Sequence, residues 1–267
     1  MQMAVAQPRA DTNGFLKWIK GSSAVGRLGV ILLVVVLWEV CARAFIDPKL
    51  VSPPTAILET LFSKTLEDPQ IRAAIYLTFF ELAVAFALSV VFGVFMGLLV
   101  GLNQTVYKGV YPLILLLWAI PQVTILPLFI LYFGLGPAGK IAFGFSHGIF
   151  PIMMNVCAGV RNVNPIFLNS AKSMGASERQ ILWRIVFPHM IPSFFTGMRL
   201  GMTLTLLGVV LAELYVSTAG IGYFTQLYAE TFDPAPLFAL ILLIATCAVI
   251  LNEMLRRAER HFGRWRS

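Results

Sequence analysis

Charged residues are scarce in this sequence, since Asp, Glu, Lys and Arg together make up only 12% of its 267 residues. An average soluble domain carries about twice that share. Apolar residues instead make up 58% of the chain, which is more than one soluble core of this length would bury. Long runs without a charge are stable in lipid. The composition therefore excludes an ordinary soluble domain and predicts a membrane protein with several spans.

Cysteine and histidine are also rare, with three residues of each. Cys41, Cys157 and Cys247 lie far apart in the chain, which excludes a disulfide framework or a metal-spaced set of ligands. Because each cysteine lies within an apolar run, we expect all three to be small buried hydrophobic residues. The histidines, carboxylates and hydroxyls form no catalytic constellation. The sequence thus predicts a protein without catalytic residues, bound metal or cofactor.

The net charge of +7 comes from cations that cluster at the ends of apolar segments, which indicates a lipid bilayer rather than a nucleic acid as the partner. Six of these segments are long enough to cross a membrane as helices. We therefore predict an all-α membrane protein whose transmembrane domain covers residues 28–254. The six transmembrane helices are expected at residues 28–46, 73–102, 110–133, 141–160, 193–211 and 237–254.

The distribution of Lys and Arg predicts how the chain lies in the membrane. Cations outnumber acids before the first span, in residues 161–192 and in the tail after the sixth span. Residues 47–72 and 213–236 have no such excess. Because cytoplasmic connections carry the excess of Lys and Arg, the N and C termini are predicted to be cytoplasmic. Residues 1–27 would then be a cytoplasmic segment with an interfacial helix, and residues 255–267 a basic cytoplasmic tail.

Two patterns inside the predicted spans indicate how helices pack. Gly93, Gly97 and Gly101 recur at every fourth residue, as they do on helices whose backbones approach closely in a membrane. Glu39 and Arg43 are also four residues apart, so they can pair on one helix face. That pairing offsets the cost of placing either charge in the first span.

The connections also carry local signals. A helix is expected after residue 53, with Ser52 as its cap, Pro54 at its first position and an apolar stripe lying on the membrane surface. The stripe consists of Ile57, Leu58, Leu61 and Phe62. Residues 103–109 are expected to form a short polar turn, and residues 213–236 a long polar return. Glu81, near the start of the second span, is expected close to the membrane interface.

Prolines interrupt two of the predicted spans. Pro121 and Pro127 lie in the third span, and Pro151 lies in the fourth span together with Asn155. A proline removes a backbone donor, and the carbonyl that it frees must face protein or a water-filled cavity. Helices that bend along a translocation pathway and helices with a static kink both meet this requirement. These four residues are therefore candidate pathway residues.

Residues 134–140 have the spacing GxxxxGK of a phosphate-binding loop. Ile141 follows, however, where such a loop has the Ser or Thr that holds magnesium, and no buried strand precedes the glycines. The charge distribution also puts this connection outside the cell. We therefore reject a nucleotide site here. If ATP drives this protein, the ATP must be bound by another polypeptide.

The most polar stretch between two strongly apolar blocks is residues 169–188, NSAKSMGASERQILWRIVFP. Small residues crowd a short helix at its start, and their size lets another protein approach the backbone closely. Gly175 permits a tight turn after that helix. A second helix with Glu178 and Arg179 follows, and Pro188 is expected to end it.

This segment resembles the EAA loop of binding-protein-dependent ABC transporter permeases, whose pattern is Glu-Ala-Ala, three residues, Gly, nine residues, Ile, one residue and Leu-Pro. Four residues stand at matching positions: Ala171, Gly175, Ile185 and Pro188. The segment departs from the pattern at three others, with Asn169 for Glu, Ser170 for Ala and Phe187 for Leu. The resemblance implies that this loop couples the permease to a cytoplasmic ATPase. The residues it implies in coupling are Asn169, Ser170, Ala171, Ser173, Gly175, Ala176, Ile185 and Pro188.

Further stretches are similar to permeases of the nitrate, sulfonate and taurine type. They are LWEVCARAF with SPPTAI, AIPQVTILPLFILYFGLGPAGKIAF, PIMMNVCAGVRNVNPIFLNSAKSMGAS and AELYVSTAGIGYF. This resemblance implies a type I ABC importer permease in the bacterial plasma (inner) membrane. Its implied partners are a cytoplasmic ATP-binding subunit dimer, an extracytoplasmic solute-binding protein and a second, identical permease copy. The implied cargo is a small solute such as a sulfonate, taurine or nitrate.

Two other classes of function are compatible with a polytopic membrane protein. An ion-gradient-driven secondary transporter needs paired intramembrane acids or inverted repeats, but Glu39 already has Arg43 as a partner and the sequence has no clear repeat. A scaffold without transport activity gives no reason for a small-residue cytoplasmic hairpin. Co-purification of an ATPase discriminates the importer from the secondary transporter.

Overall fold

The computed structural model describes residues 24–262, which fold into helices and connections without any strand. The predicted all-α class is therefore confirmed. Of the predicted N-terminal segment, residues 1–23 lie outside the described residues, as do residues 263–267 of the predicted basic tail. The longer helices are α1 (Ala24–Ala44), α3 (Pro69–Leu102), α4 (Gln104–Ala119), α6 (Pro137–Arg161), α9 (Phe187–Val216) and α11 (Pro234–Phe262). The shorter ones are α2 (Pro54–Thr60), α5 (Leu126–Phe133), α7 (Pro165–Ser173), α8 (Glu178–Ile181) and α10 (Ile221–Glu230).

Within the described range, four helical stretches are long and apolar enough to cross a membrane: Pro69–Leu102, Pro137–Arg161, Glu178–Tyr215 and Pro234–Phe262. Helix α4 and the stretch Gln122–Phe133 form a fifth if they are taken as one span, bent by 82°. The described chain thus has four or five such stretches. A sixth span, expected at residues 28–46 and overlapping α1, stays a prediction.

Helices α3, α6 and α9 pack together as the core of the bundle. The predicted glycine ridge of α3 faces α6, where a Cβ atom added at Gly97 would lie only 2.7 Å from the carbonyl oxygen of Met153. Gly93 and Gly101 are also close to α6, at 2.9 Å from Ile152 and 3.2 Å from Cys157 by the same measure. Glycine lets these helix backbones approach each other, so van der Waals packing replaces the hydrophobic effect that lipid cannot supply. The predicted packing role is confirmed.

Several predicted helix boundaries are wrong at connections. Asn103 alone separates α3 from α4, because its side chain caps α4 by accepting hydrogen bonds from the backbone N–H groups of Thr105 and Val106. The predicted polar turn over residues 103–109 is therefore mostly helix, and α4 begins six residues before the predicted third span. At the other end of the core, α9 continues to Val216, so Glu213 is helical and does not belong to a polar return.

The prolines act differently from one another. The chain bends between α4 and Gln122 because Ile120 is extended (ψ 128°), the conformation favoured before a proline. Pro127 lies in the first turn of α5, where a missing N–H costs no hydrogen bond, and Pro151 lies inside an unbroken α6. Of the three prolines, only Pro121 stands at a break of a helix.

Pro188 does not end its helix, contrary to prediction. The chain forms a π turn over Leu182–Val186, and the N–H of Phe187 bonds to the carbonyl oxygen five residues back, at Leu182. This wider turn shifts the hydrogen-bond register just before the proline, which sits in the first turn of α9 and needs no donor there. Residues 178–215 therefore form one continuous helical rod of 38 residues.

The predictions for the first connection and for the cysteines are correct only in part. Helix α2 begins at Pro54 as expected, but Pro53 stands at the cap position and makes no side-chain cap bond. Only half of the predicted apolar stripe is buried, Ile57 and Leu61, and these pack against Ala239 of α11 while Leu58 and Phe62 are exposed. Among the cysteines, Cys157 is buried as expected, Cys247 is half-buried and Cys41 is exposed.

Candidate functional site

The predicted coupling residues lie in a hairpin made of α7, a turn and α8. Asn164 starts α7 by accepting a hydrogen bond from the N–H of Ile166 at 2.9 Å, and Pro165 takes the first helical position. Helix α7 ends in a left-handed turn at Gly175, whose φ is +78°. There the N–H of Ala176 bonds to the Ala171 carbonyl and the N–H of Gly175 to that of Lys172. This is a Schellman C-cap, which confirms the predicted tight turn.

Helix α8 begins with a capping box. The Ser177 hydroxyl accepts from the N–H of Gln180 at 3.3 Å, and the Gln180 side chain accepts from the N–H of Ser177 at 2.8 Å. Because a cap closes each side of the turn, the backbone N–H groups of residues 174–177 are all hydrogen-bonded. Local hydrogen bonds therefore fix the shape of the turn.

The predicted coupling residues divide into a buried row and an exposed surface. Ala171 is buried against Val163 and Ile181, and Ala176 packs against the same apolar cluster. Partly buried positions further along the segment are Ile185 and Pro188. Those exposed to solvent are Asn169, Ser170, Ser173 and Gly175. The structure therefore places Ser170, Ser173 and Gly175 on the outer side of the hairpin and the two alanines against the core.

Sequence reasoning missed three large apolar side chains on this hairpin. Ile166, Phe167 and Met174 are 67%, 56% and 81% exposed. The available signal was that three large apolar residues lie within one polar segment, since a cluster of exposed apolar residues marks an interaction site. Between α7 and α8 a groove of about 550 Å³ is lined by the charged side chains of Lys172, Glu178 and Arg179.

The four candidate pathway residues fall into two separate places. Pro121 and Pro127 are exposed, at and just after the break between α4 and α5. Pro151 is buried and Asn155 half-buried where α6 meets α9, and the Asn155 amide donates to the Pro151 carbonyl at 2.8 Å. A Cβ atom added at Gly197 of α9 would lie 2.8 Å from the Cβ of Asn155. The structure does not bring the two pairs together, and their role in a pathway stays a prediction.

A buried charged network was missed entirely. Glu81 of α3, Lys140 of α6 and Glu213 of α9 are 0%, 4% and 0% exposed. The Lys140 Nζ atom lies 2.6 Å from Glu81 Oε1, an ion-pair distance, although neither Glu81 oxygen accepts a hydrogen bond of ordinary geometry among the described residues. Lys140 also donates to the Ala219 carbonyl at 3.2 Å. Glu81 is therefore enclosed inside the bundle, and its expected place close to the membrane interface stays a prediction.

Glu213 holds the chain where it turns from α9 into α10. The Glu213 carboxyl accepts a hydrogen bond from the N–H of Gly222 at 2.9 Å, and its Oε1 lies 2.6 Å from the Thr78 hydroxyl of α3. Gly220, with a φ of +114°, packs directly on this carboxyl, and any Cβ there would collide with it. We call residues 217–222 the elbow. It is fixed by buried polar groups from three helices.

The hairpin and the buried network lie at opposite ends of the core. At the hairpin end, Gly101 of α3 meets Val160 of α6, and Gly159 of α6 meets Met190 of α9. Towards the network end, the start of α6 lies against the end of α9, where Gly144 meets Val209. Lys140, which pairs with Glu81 at the network end, is also the last residue of the rejected phosphate-loop pattern at residues 134–140.

Two of the ion pairs nearer the surface involve helices outside the three-helix core. Glu39 and Arg43 of α1 pair at 2.6 Å, as predicted, and both also contact the Thr55 side chain at the start of α2. Arg199 of α9 pairs with Glu259 of α11 at 3.3 Å. The first pair lies within α1 and ties that helix to α2 through Thr55, whereas the second ties α11 to α9 of the core.

Apolar helices around a glycine-packed core, with a doubly capped polar hairpin at one end, define a multi-pass α-helical membrane protein. Residues 89–264 match the family described as "Binding-protein-dependent transport system inner membrane component", and this match covers more than half of the chain. The chain therefore belongs to that family. It is the membrane-spanning permease subunit of an ABC importer in the inner membrane, a transport subunit and not an enzyme. The family implies an ATPase and a substrate-binding protein as its partners.

Curated relatives are similar over nearly the whole chain. The taurine transport system permease protein TauC of Escherichia coli (strain K12) is 32% identical, over 91% of this chain and 89% of the relative. The formylaminopyrimidine transport permease protein ThiX of Halalkalibacterium halodurans is 30% identical, over 88% of this chain and 93% of the relative. The protein named "Putative aliphatic sulfonates transport permease protein SsuC" of Bacillus subtilis is 24% identical, over 94% of this chain and 88% of the relative.

The fold also matches a solved structure. A chain of the MetNI methionine ABC transporter, in an inward-facing conformation, superposes with a TM-score of 0.64 at 15% identity. The match covers 72% of this chain and 96% of that chain. At this identity the likeness shows a shared fold and nothing about the solute.

Proposed function

We propose that two identical copies of this permease enclose a pathway for a small solute that a solute-binding protein delivers, and that the 169–188 segment couples them to a cytoplasmic ATPase dimer. The observation that carries the coupling proposal is the α7–α8 hairpin. It is held by its own caps, and it exposes small residues beside large apolar ones. A preformed surface of this kind suits docking, because little conformational entropy is lost on binding.

The composition of the hairpin supports a protein partner with an apolar groove. Ile166, Phe167 and Met174 offer apolar anchors that would otherwise face water. Ser170 and Ser173 lie between them and allow the partner backbone to come close. Ala171, on the opposite side of α7, fastens the hairpin to the core. A displacement of the ATPase would then pass into α9 through the continuous helix.

The test of coupling is Gly175→Arg. A side chain at a φ of +78° strains the turn by roughly 1 kcal/mol or more. A long side chain would also push the hairpin out of the groove of the ATPase. We expect normal membrane insertion, with transport and substrate-stimulated ATP hydrolysis falling together and less ATPase co-purified. Gly109→Arg is the matched control, because Gly109 is exposed on α4 without positive φ or a close neighbour. Parental transport by inserted Gly175→Arg would contradict the coupling role.

We also propose six spans, with both termini and the 169–188 segment on the cytoplasmic side. The test uses single cysteines in a background that lacks the three native ones. Glu67 and Glu230 are exposed next to α3 and at the end of α10, and Ser173 is exposed on α7. An impermeant thiol reagent added outside intact cells should label cysteines at the first two positions and not at the third. Labelling at position 173 would reverse the orientation.

A pair of permease copies is supported by the large apolar surface that one chain leaves open. Leu116, Leu131 and Tyr132 on α4 and α5 are 66%, 74% and 78% exposed. Lipid or a second copy can cover such a surface in the membrane. The mass of the purified complex decides between them, since it should accommodate two permease chains. A mass that accommodates one chain would disprove the pair.

The solute is proposed from the relatives: a sulfonate, taurine, nitrate or a similar small organic nutrient. Relatives named for taurine and for formylaminopyrimidine transport are 32% and 30% identical, so sequence identity does not separate an aminosulfonate from a heterocycle. Arg199 is no free anion site, because it already pairs with Glu259. Ligand binding to the solute-binding protein encoded nearby, followed by uptake of that ligand, tests the assignment. Binding of none of these classes would refute it.

A further inference from the structure

The Glu213 carboxyl raises a problem of hydrogen counting. Thr78 has a single hydroxyl hydrogen, yet its oxygen lies 3.0 Å from the Ala74 carbonyl and 2.6 Å from Glu213 Oε1, both of which can accept that hydrogen. The same oxygen accepts a hydrogen bond from the N–H of Ile221 at 2.9 Å. If Glu213 is ionised, the Thr78 hydroxyl can donate to Glu213 or to the Ala74 carbonyl but not to both, and that carbonyl then keeps only its backbone donor within α3. If Glu213 carries a proton on Oε1, it donates to Thr78, and Thr78 donates to Ala74.

The charges around Glu213 give the same answer independently. The charged groups that face it are Glu81 from α3 and Lys140 from α6, while the elbow contributes only backbone groups. Two carboxyls and one ammonium are thus enclosed where no side chain is more than 4% exposed. An uncompensated negative charge in such a place is very unfavourable. Lys140 lies 2.6 Å from Glu81, so the carboxyl left without a counter-charge is Glu213.

We propose that Glu213 is a proton-binding site, in which one proton is held as part of a neutral carboxylic acid while Glu81 is the charged partner of Lys140. The bound proton makes Glu213 a donor to Thr78, which ties α9 to α3. The other oxygen of Glu213 still accepts from Gly222, which ties the same side chain to the elbow. The proposal concerns the resting permease and does not depend on which solute it carries or on where the ATPase docks.

Two matched variants test the assignment, since the same chemical change is made at two neighbouring acids. In Glu213→Gln the amide copies the neutral acid, because its NH₂ donates to Thr78 and its oxygen accepts from Gly222; we expect yield and transport within about twofold of the parent. In Glu81→Gln the Lys140 ammonium is left buried without a counter-charge. We therefore expect a roughly tenfold or greater loss of folded complex.

Infrared spectroscopy of the assembled complex in lipid provides a direct measurement. The parent should show the carbonyl stretching band of a protonated carboxylic acid, with a small shift in ²H₂O, and Glu213→Gln should lack it. Two results would overturn the proposal: loss of the folded complex in Glu213→Gln, whether or not Glu81→Gln is tolerated, or persistence of the band in Glu213→Gln. If both variants are tolerated, the band alone decides.

Discussion

The two ends of the α3–α6–α9 core treat polar groups in opposite ways. At the hairpin end, Ser177 and Gln180 satisfy the backbone locally and leave their side chains in contact with water. At the elbow end, where the buried network lies, Glu81, Lys140 and Glu213 are closed off from water. Lys140 pairs with Glu81, and Glu213 bonds to Thr78 and to the backbone of Gly222. The hairpin is thus an exposed surface whose shape is set by its own hydrogen bonds. The buried network instead holds helices of the core together.

This difference predicts two kinds of mutational effect. A change at the elbow end that leaves a charge or a polar atom without a partner, in a place that water cannot reach, should prevent folding. A change at the hairpin end alters a surface that is already hydrated, so the protein should fold and lose only its communication with the ATPase. Substitutions at the two ends and in the glycine-packed core should therefore differ in how much they destabilise the protein.

Lys140→Met should be the most damaging of these changes. It leaves Glu81 as a buried carboxylate without a counter-charge, which costs on the order of 3–5 kcal/mol. We expect almost no monodisperse protein after detergent extraction, as measured by fluorescence-detected size-exclusion chromatography. Arg43→Met is the matched control, since it also removes one cation of an acid–base pair, but at the exposed end of α1. Equal losses of monodisperse protein for both variants would show that burial of the ion pair does not determine how strongly its removal destabilises the protein.

Gly97→Val should be the next most damaging. The nearest atoms to an added Cβ are the Met153 carbonyl oxygen at 2.7 Å and the Val156 Cβ at 2.8 Å, so α3 and α6 must move apart. Overpacking of this kind costs about 1–3 kcal/mol. We expect a lower melting temperature of the purified complex. Gly109→Val, with no atom within 4 Å, should change it little, and a similar loss there would point to β-branching rather than to crowding.

Ser177→Ala should have the smallest effect on stability and a selective effect on function. Loss of the cap removes one hydrogen bond to Gln180 at the exposed start of α8, which costs about 0.5–2 kcal/mol of local helix stability. We expect an unchanged melting temperature and a moderate fall in transport per ATP hydrolysed. Ser177→Asp should restore coupling, because Asp is also a good cap. A variant that fails to assemble would remove the distinction between the two ends.

Local patterns in the sequence predicted much of the hairpin end. Gly175 and the helices around it follow from residues within one or two turns of each other, and the ridge of Gly93, Gly97 and Gly101 repeats within one helix. The elbow end could not be predicted in this way. Glu81 and Lys140 are distant in sequence, and neither carries a local sign of its partner. Only the packing of three helices brings them together.

The errors at Pro188 and Asn103 have a related cause. A proline after a polar run ordinarily ends a helix, but here a π turn supplies the hydrogen-bond register that the proline needs. A polar run of seven residues ordinarily forms a turn, but Asn103 caps the next helix so efficiently that one residue is enough. In both places the backbone hydrogen-bond pattern outweighed residue preference.

The unbroken helix Glu178–Tyr215 makes the number of residues between the two ends a fixed quantity. Its 38 residues correspond to about 57 Å, and each one also adds about 100° of rotation. Adding or deleting one residue would therefore turn Glu213 away from Thr78, whatever the identity of the residue. The π turn is the exception, because deleting one residue of Leu182–Val186 can convert it to an ordinary α-turn. Along this helix, substitutions should be far easier to accommodate than changes in length.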